Sequence, residues 1–302
     1  MKRLILCVAV VSCLAIPACG QSPVQQLQQW VEQAQESIQT NDRKGAVELA
    51  GKIIELCREN AATQAESVAP SITETESVKY LLISTLIDRT VGNPRRALET
   101  SIHLLAICAE PTEENRAIRI ECQIQVFEMI IGIYAPRPLD WERLSIAMDT
   151  IQQRMIDAGV LPGVASLTLF AKARHAEQRG QNELLEETLD ALESVIGNER
   201  LIADYFRVMY WNLRATLSAN RHQYFDAFEA CRNFEQYALR TAPKRRESLV
   251  AIARDQSALI AIKIGDYSEA KRKLKSTLQA HTQGQELPGI RLGKLTQWRI
   301  NM

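Results

Sequence analysis

Glycine and proline are scarce, at 13 and 10 of 302 residues. An all-β chain needs turn residues every few positions, so this shortage excludes one and leaves long helices as the default. Net charge is lacking too: 36 Lys and Arg balance 36 Asp and Glu. No global field therefore recommends nucleic acid or a membrane surface as a partner. Beyond the first twenty residues no apolar run approaches the roughly 18 residues that a spanning helix needs. Catalytic signatures are missing as well. There is no G-x-S-x-G elbow, no phosphate loop and no G-x-G-x-x-G after a strand. His103, His175, His222 and His281 stand at no metal-ligand spacing, so neither a metal nor a cofactor is expected, and the four are read as solvated helix-surface residues.

What is present begins with a leader. Lys2 and Arg3 precede the apolar run Leu4 to Ile16, and small residues follow at Ala18, Cys19 and Gly20. That order is the plan of a secretory signal peptide over residues 1–20. It predicts an exported protein of the periplasm or cell envelope. Ile16-Pro17-Ala18-Cys19 also resembles a bacterial lipobox, in which the cysteine becomes the lipidated first residue. On that reading Cys19 carries the only membrane anchor.

From Pro23 onward the pattern is helical and repeats. Six segments align on a small or apolar residue: Ala46, Ala97, Leu144, Leu185, Ala227 and Ala270. Each is read as the start of the second helix of a helical hairpin, with turns expected near 41–45, 91–94, 136–140, 180–182, 220–224 and 265–267. Asp140 is the expected N-cap of the third second helix. Breaks between hairpins are expected at 111–112, 159–163, 197–198 and 242–243, with the longest loop over 60–76. The predicted fold is all-α, an α-solenoid of about six hairpins over residues 21–281, followed by an irregular basic tail, 282–302. Charge is split along it: residues 21–158 hold 13 basic and 20 acidic side chains, and 159–302 hold 21 and 16.

The stretch Ser257 to His281 shows one hairpin at its clearest. Its turn, Gly265-Asp266-Tyr267-x-x-Ala270, resembles the turn between the paired helices of a tetratricopeptide repeat, where glycine ends one helix and alanine lets the next approach. The mean spacing of about 45 residues is longer than the roughly 34 of that family. The resemblance implies a scaffold whose first helices line a concave groove for a peptide or protein.

On that basis the groove is placed on the first helix near 198–219. Ile202, Phe206, Met209, Leu213 and Leu217 form its expected core stripe. Asp204, Arg207, Trp211 and Arg214 form a second stripe, expected to meet the partner, and Arg174 and Arg254 extend the basic lining from adjacent first helices. Arginine pairs bidentately with carboxylates and an indole offers flat apolar area, so an acidic or C-terminal segment is the expected ligand. The competing class is an all-helical enzyme or small-ligand binder, which would need convergent polar groups in one deep pocket. Four cysteines follow the leader: Cys57, Cys108, Cys122 and Cys231. Helix geometry puts Cys108 and Cys122 about 12 Å apart along the axis, and all four are expected as buried thiols.

Overall fold

The computed structural model describes residues 22–64, 74–110, 115–134, 140–197, 202–241 and 243–282. The leader with Cys19, the 111–112 break and residues 283–302 of the tail lie outside them. The described residues form thirteen helices and no strand: α1 (Pro23–Gln39), α2 (Arg43–Gln64), α3 (Glu74–Val91), α4 (Pro94–Ile107), α5 (Arg116–Tyr134), α6 (Trp141–Asp157), α7 (Pro162–Ala165), α8 (Leu167–Gln178), α9 (Asn182–Ile196), α10 (Asp204–Asn220), α11 (Tyr224–Arg240), α12 (Pro243–Lys263) and α13 (Tyr267–Thr282). Two units result, 1–91 and 92–302. Among the described residues no helix is long and apolar enough to cross a membrane.

The turns from one helix to the next share one backbone solution. Asn41, Gly92, Gly180, His222 and Gly265 all have left-handed φ, between 61° and 87°. At four of these turns the carbonyl four residues upstream, from Ser37, Ala176, Ser218 or Ala261, accepts the amide of the next residue downstream at 2.7–2.9 Å. That six-to-one bond is the Schellman closure, which satisfies a carbonyl the ending helix would leave bare. Five residues after each left-handed residue comes the anchor: Ala46, Ala97, Leu185, Ala227 and Ala270. With Leu144, all six are at most 3% exposed. Each anchor donates the first internal amide bond of its helix, to Asp42, Asn93, Asp140, Gln181, Gln223 or Asp266. Asp140 caps α6 as expected, its Oδ1 accepting the Arg143 amide at 2.8 Å.

Some boundaries differ from the sequence reading. The break at 159–163 contains the short helix α7, because Pro162 is well suited to a first helical position. Both ends of the stretch 60–76 are helical rather than loop, since α2 continues to Gln64 and α3 begins at Glu74. His222 occupies a turn rather than a helix face.

In the first unit α1, α2 and α3 pack on one another, with Leu27, Val31, Ala50 and Ile53 in the core. The second unit is solenoid-like. The first helices α5, α8, α10 and α12 each touch the next, while α9 wedges between α8 and α10 and α11 between α10 and α12. α13 lies on α12, and α6 on α8. Phe206 joins the inner row, with ring centroids 5.7 Å from Phe127 and 5.2 Å from Phe170.

An ion pair recurs at the same step between neighbouring hairpins. Asp149 of α6 meets Lys172 of α8 at 2.7 Å, and Asp190 of α9 meets Arg214 of α10 at 2.6 Å. Glu235 of α11 meets Arg254 of α12 at 2.6 Å in the corresponding seam. Each joins a second helix to the following first helix, so it fixes register between repeats.

Candidate functional site

α10 decides where a groove lies, because α8, α9, α11 and α12 all pack against it. A helix gripped on so many sides keeps only a narrow free face. Ile202, Phe206, Leu213 and Leu217 are buried and Met209 is half-buried. The face left half-exposed carries Tyr205, Met209, Asn212 and Thr216, spaced four, three and four apart as one helical stripe requires.

The stripe expected to meet a partner lies elsewhere. Arg207 is 1% exposed. Its Nε donates to the Ile196 carbonyl at 3.1 Å, and its Nη1 donates to the Ile202 carbonyl at 2.7 Å and to Asp204 at 3.0 Å. The guanidinium therefore ties the end of α9 to the start of α10. Trp211 is half-buried against two core clusters shared by α10, α11 and α12, with its indole nitrogen enclosed. Arg214 turns to α9, bonding Asp190 and the Tyr210 hydroxyl. Arg254 turns to α11 and α13, bonding Glu235 and Ser276 at 2.6 Å each. The three arginines share a physical reason: each guanidinium answers a carbonyl or carboxylate of a neighbouring helix, as a charge drawn out of water must, while Trp211 answers apolar surface.

Arg174 alone of the six keeps a substantially exposed head, at 40%, pairing with Glu177 at 2.8 Å. It belongs to a constellation that the sequence stripes did not single out. Arg245, at the start of α12, lies over the Tyr205 ring at 5.0 Å and 3.6 Å from Glu128 of α5. Burial, then Glu128, pushes the Tyr205 phenol up, while Arg245 and Arg174 pull it back. Four consecutive first helices, α5, α8, α10 and α12, thus contribute Glu128, Arg174, Tyr205 and Arg245. Further along the same row, Gln256 of α12 donates to Asn212 of α10 at 2.8 Å.

The arrangement offers aromatic and charged recognition groups without a nucleophile paired to a base. Cys57, Cys108, Cys122 and Cys231 are all buried. Burial pushes the Cys57 thiol up to about 12 and that of Cys231 up to about 11, so neither is a thiolate at neutral pH. His175 is half-buried against Trp141 at 6.4 Å, and burial and then Arg179 hold its pKa below the usual value. Among the described residues no group of three His, Cys, Asp or Glu side chains is placed to hold a metal ion. No protein-family model, no curated protein and no solved structure matches the chain.

Proposed function

We propose that the chain is an exported, non-enzymatic scaffold, similar to tetratricopeptide arrays, that binds a peptide or protein along its row of first helices. The observation that carries the reading is the convergence of Glu128, Arg174, Tyr205 and Arg245 from four successive first helices. Side chains so far apart in sequence line one surface because the repeats stack. Guanidinium groups beside a tyrosine ring favour an acidic segment, which matches the excess of basic side chains after residue 158.

A photoreactive residue tests the surface directly. Placed at Asn212, on the inner row, it is expected to capture a foreign polypeptide in the intact cell, whereas at Gln236, on the outer side of α11, it should capture none. Equal capture of foreign polypeptide at both positions would remove the inner row as the binding face, whereas a second copy of this chain captured at Gln236 would not.

Export rests on the leader sequence. Without residues 1–20 the protein should remain in the cytoplasm, and Cys19→Ser separates the two processing routes. Lipid labelling lost in this variant establishes the anchored form. An unlabelled mature chain starting near residue 21 establishes ordinary cleavage, and an intact amino terminus in the envelope contradicts export altogether.

A further inference from the structure

The outer side of the second unit carries a pattern that the inner row does not use. Leu185, Ala227 and Ala270, the anchors of α9, α11 and α13, follow one another at steps of 42 and 43 residues, so equivalent outward positions can be read directly. On α11 they are Phe225, Glu229, Arg232, Gln236 and Leu239, within about 40° of one direction at 100° per residue. All five are exposed, and Phe225 and Leu239 are 77% and 50% so. Two large apolar side chains thus stand at the two ends of one polar stripe.

The flanking helices differ in sign. On α9 the equivalent positions are Glu183, Glu187, Asp190 and Ser194, all exposed, and the helix contains no basic residue. Arg221 and Arg214 of the inner row neutralise Glu186 and Asp190. Glu183 and Glu187, four residues apart, face outward as a like-charge pair that costs helix stability unless it is countered. On α13 the equivalents are Ser268, Arg272 and Lys275, and exposed Lys271 stands four residues before Lys275 as the opposite like-charge pair.

We infer that this outer face pairs with the same face of a second copy about a two-fold axis near Arg232. Second helices run parallel within one chain, so a two-fold that runs along α11 keeps them parallel across the interface and reverses the order of α9 and α13. Phe225 of one protomer then meets the partner's Phe225, Leu239 meets the partner's Leu239, Glu229 lies about one turn from the partner's Arg232, and acidic α9 faces basic α13. The α9–α13 contact occurs twice, which closes the assembly as a dimer. Charge places the partner: any chain with an acidic, an apolar-ended and a basic helix in this order fits, and this chain is one. The inner row stays open, so the proposal is independent of the binding role.

The test is the mass of the full chain, as isolated from the cell, by analytical ultracentrifugation across a concentration series. A dimer is expected in low salt, weakening in roughly 0.5 M salt as exposed ion pairs are screened. Phe225→Asp should weaken it by roughly tenfold or more, with helical content unchanged because the side chain is exposed. Glu187→Lys alone and Lys275→Glu alone should each weaken it several-fold. Mixing the two variants should restore dimers, since both α9–α13 contacts are then attractive in the mixed pair. A monomer at every concentration overturns the inference, as does a dimer indifferent to Phe225→Asp or a mixture no tighter than its components.

Discussion

Arg207→Ala is expected to lower the melting temperature of the protein by about 10 °C. The guanidinium is buried and answers two backbone carbonyls, those of Ile196 and Ile202, as well as Asp204. Removing it leaves both carbonyls without that donor, at about 1–3 kcal/mol for each acceptor left buried and unsatisfied. A total of about 2–6 kcal/mol follows, and at roughly 2–4 °C per kcal/mol for a unit of this size the middle of that range gives a shift of about 10 °C. Arg207→Lys should recover only part of it, since a single ammonium cannot reproduce the fork of donors. Circular dichroism on heating reads the effect. A melting temperature within 2 °C of the unsubstituted protein would show that the carbonyls find water, and would return Arg207 to the set of surface candidates. A partner-binding role instead requires a folded variant that has lost only affinity.

The hairpin register was legible because its signals are local. A left-handed residue, the cap after it and a small residue five positions on are set by how one helix ends and the next begins, and Gly265-Asp266 with Ala270 displays all three. Asn41 and His222 take the glycine's place at two turns, and the anchor alignment still found them because the alanine is kept. What the pattern did not contain was the distance between hairpins. α7 fills a gap read as a plain break, and α5 and α6 both pack on α8, an arrangement set by tertiary contacts alone.

The candidate surface was less legible. Periodicity fixes the angle between two stripes on α10 but not the positions of its neighbours. Asp204, Arg207, Trp211 and Arg214 form a true stripe, and a helix packed on one side only would present it to solvent. α10 is packed on four helices, so polarity marks contact with α9 and α11 there, and the free face falls on Tyr205 and Asn212 between the stripes. Arg245 was hidden for a related reason. Its meeting with Glu128, 117 residues earlier in the chain, depends on four stacked helices and leaves no local mark.

The second large effect is expected at Glu235, where three helices are joined through one carboxylate. Arg254 of α12 donates to Oε1 at 2.6 Å and Lys273 of α13 pairs with Oε2, and Lys273 is only 9% exposed. Glu235→Ala leaves two largely enclosed cations facing each other without a counter-charge, and breaking a buried pair from one side costs about 3–5 kcal/mol. The loss should concentrate in α12 and α13, so hydrogen exchange of their amides should accelerate more than that of α8 and α9. Adding Lys273→Met to Glu235→Leu should recover much of the stability, because apolar replacement removes the uncompensated charge. The same carboxylate sets an acid limit. Burial pulls its pKa upward, but the bonds from Lys273 and Arg254 outweigh burial and hold it below the ordinary 4.5. The unfolded chain therefore binds the proton more readily than the folded one. The contribution is complete above the unfolded value and is lost as pH falls through the folded one. The gap in melting temperature between the unsubstituted protein and Glu235→Gln should thus be full at pH 7 and shrink as pH drops below about 4. A gap that persists unchanged in acid would mean that Glu235 acts through packing rather than through its charge.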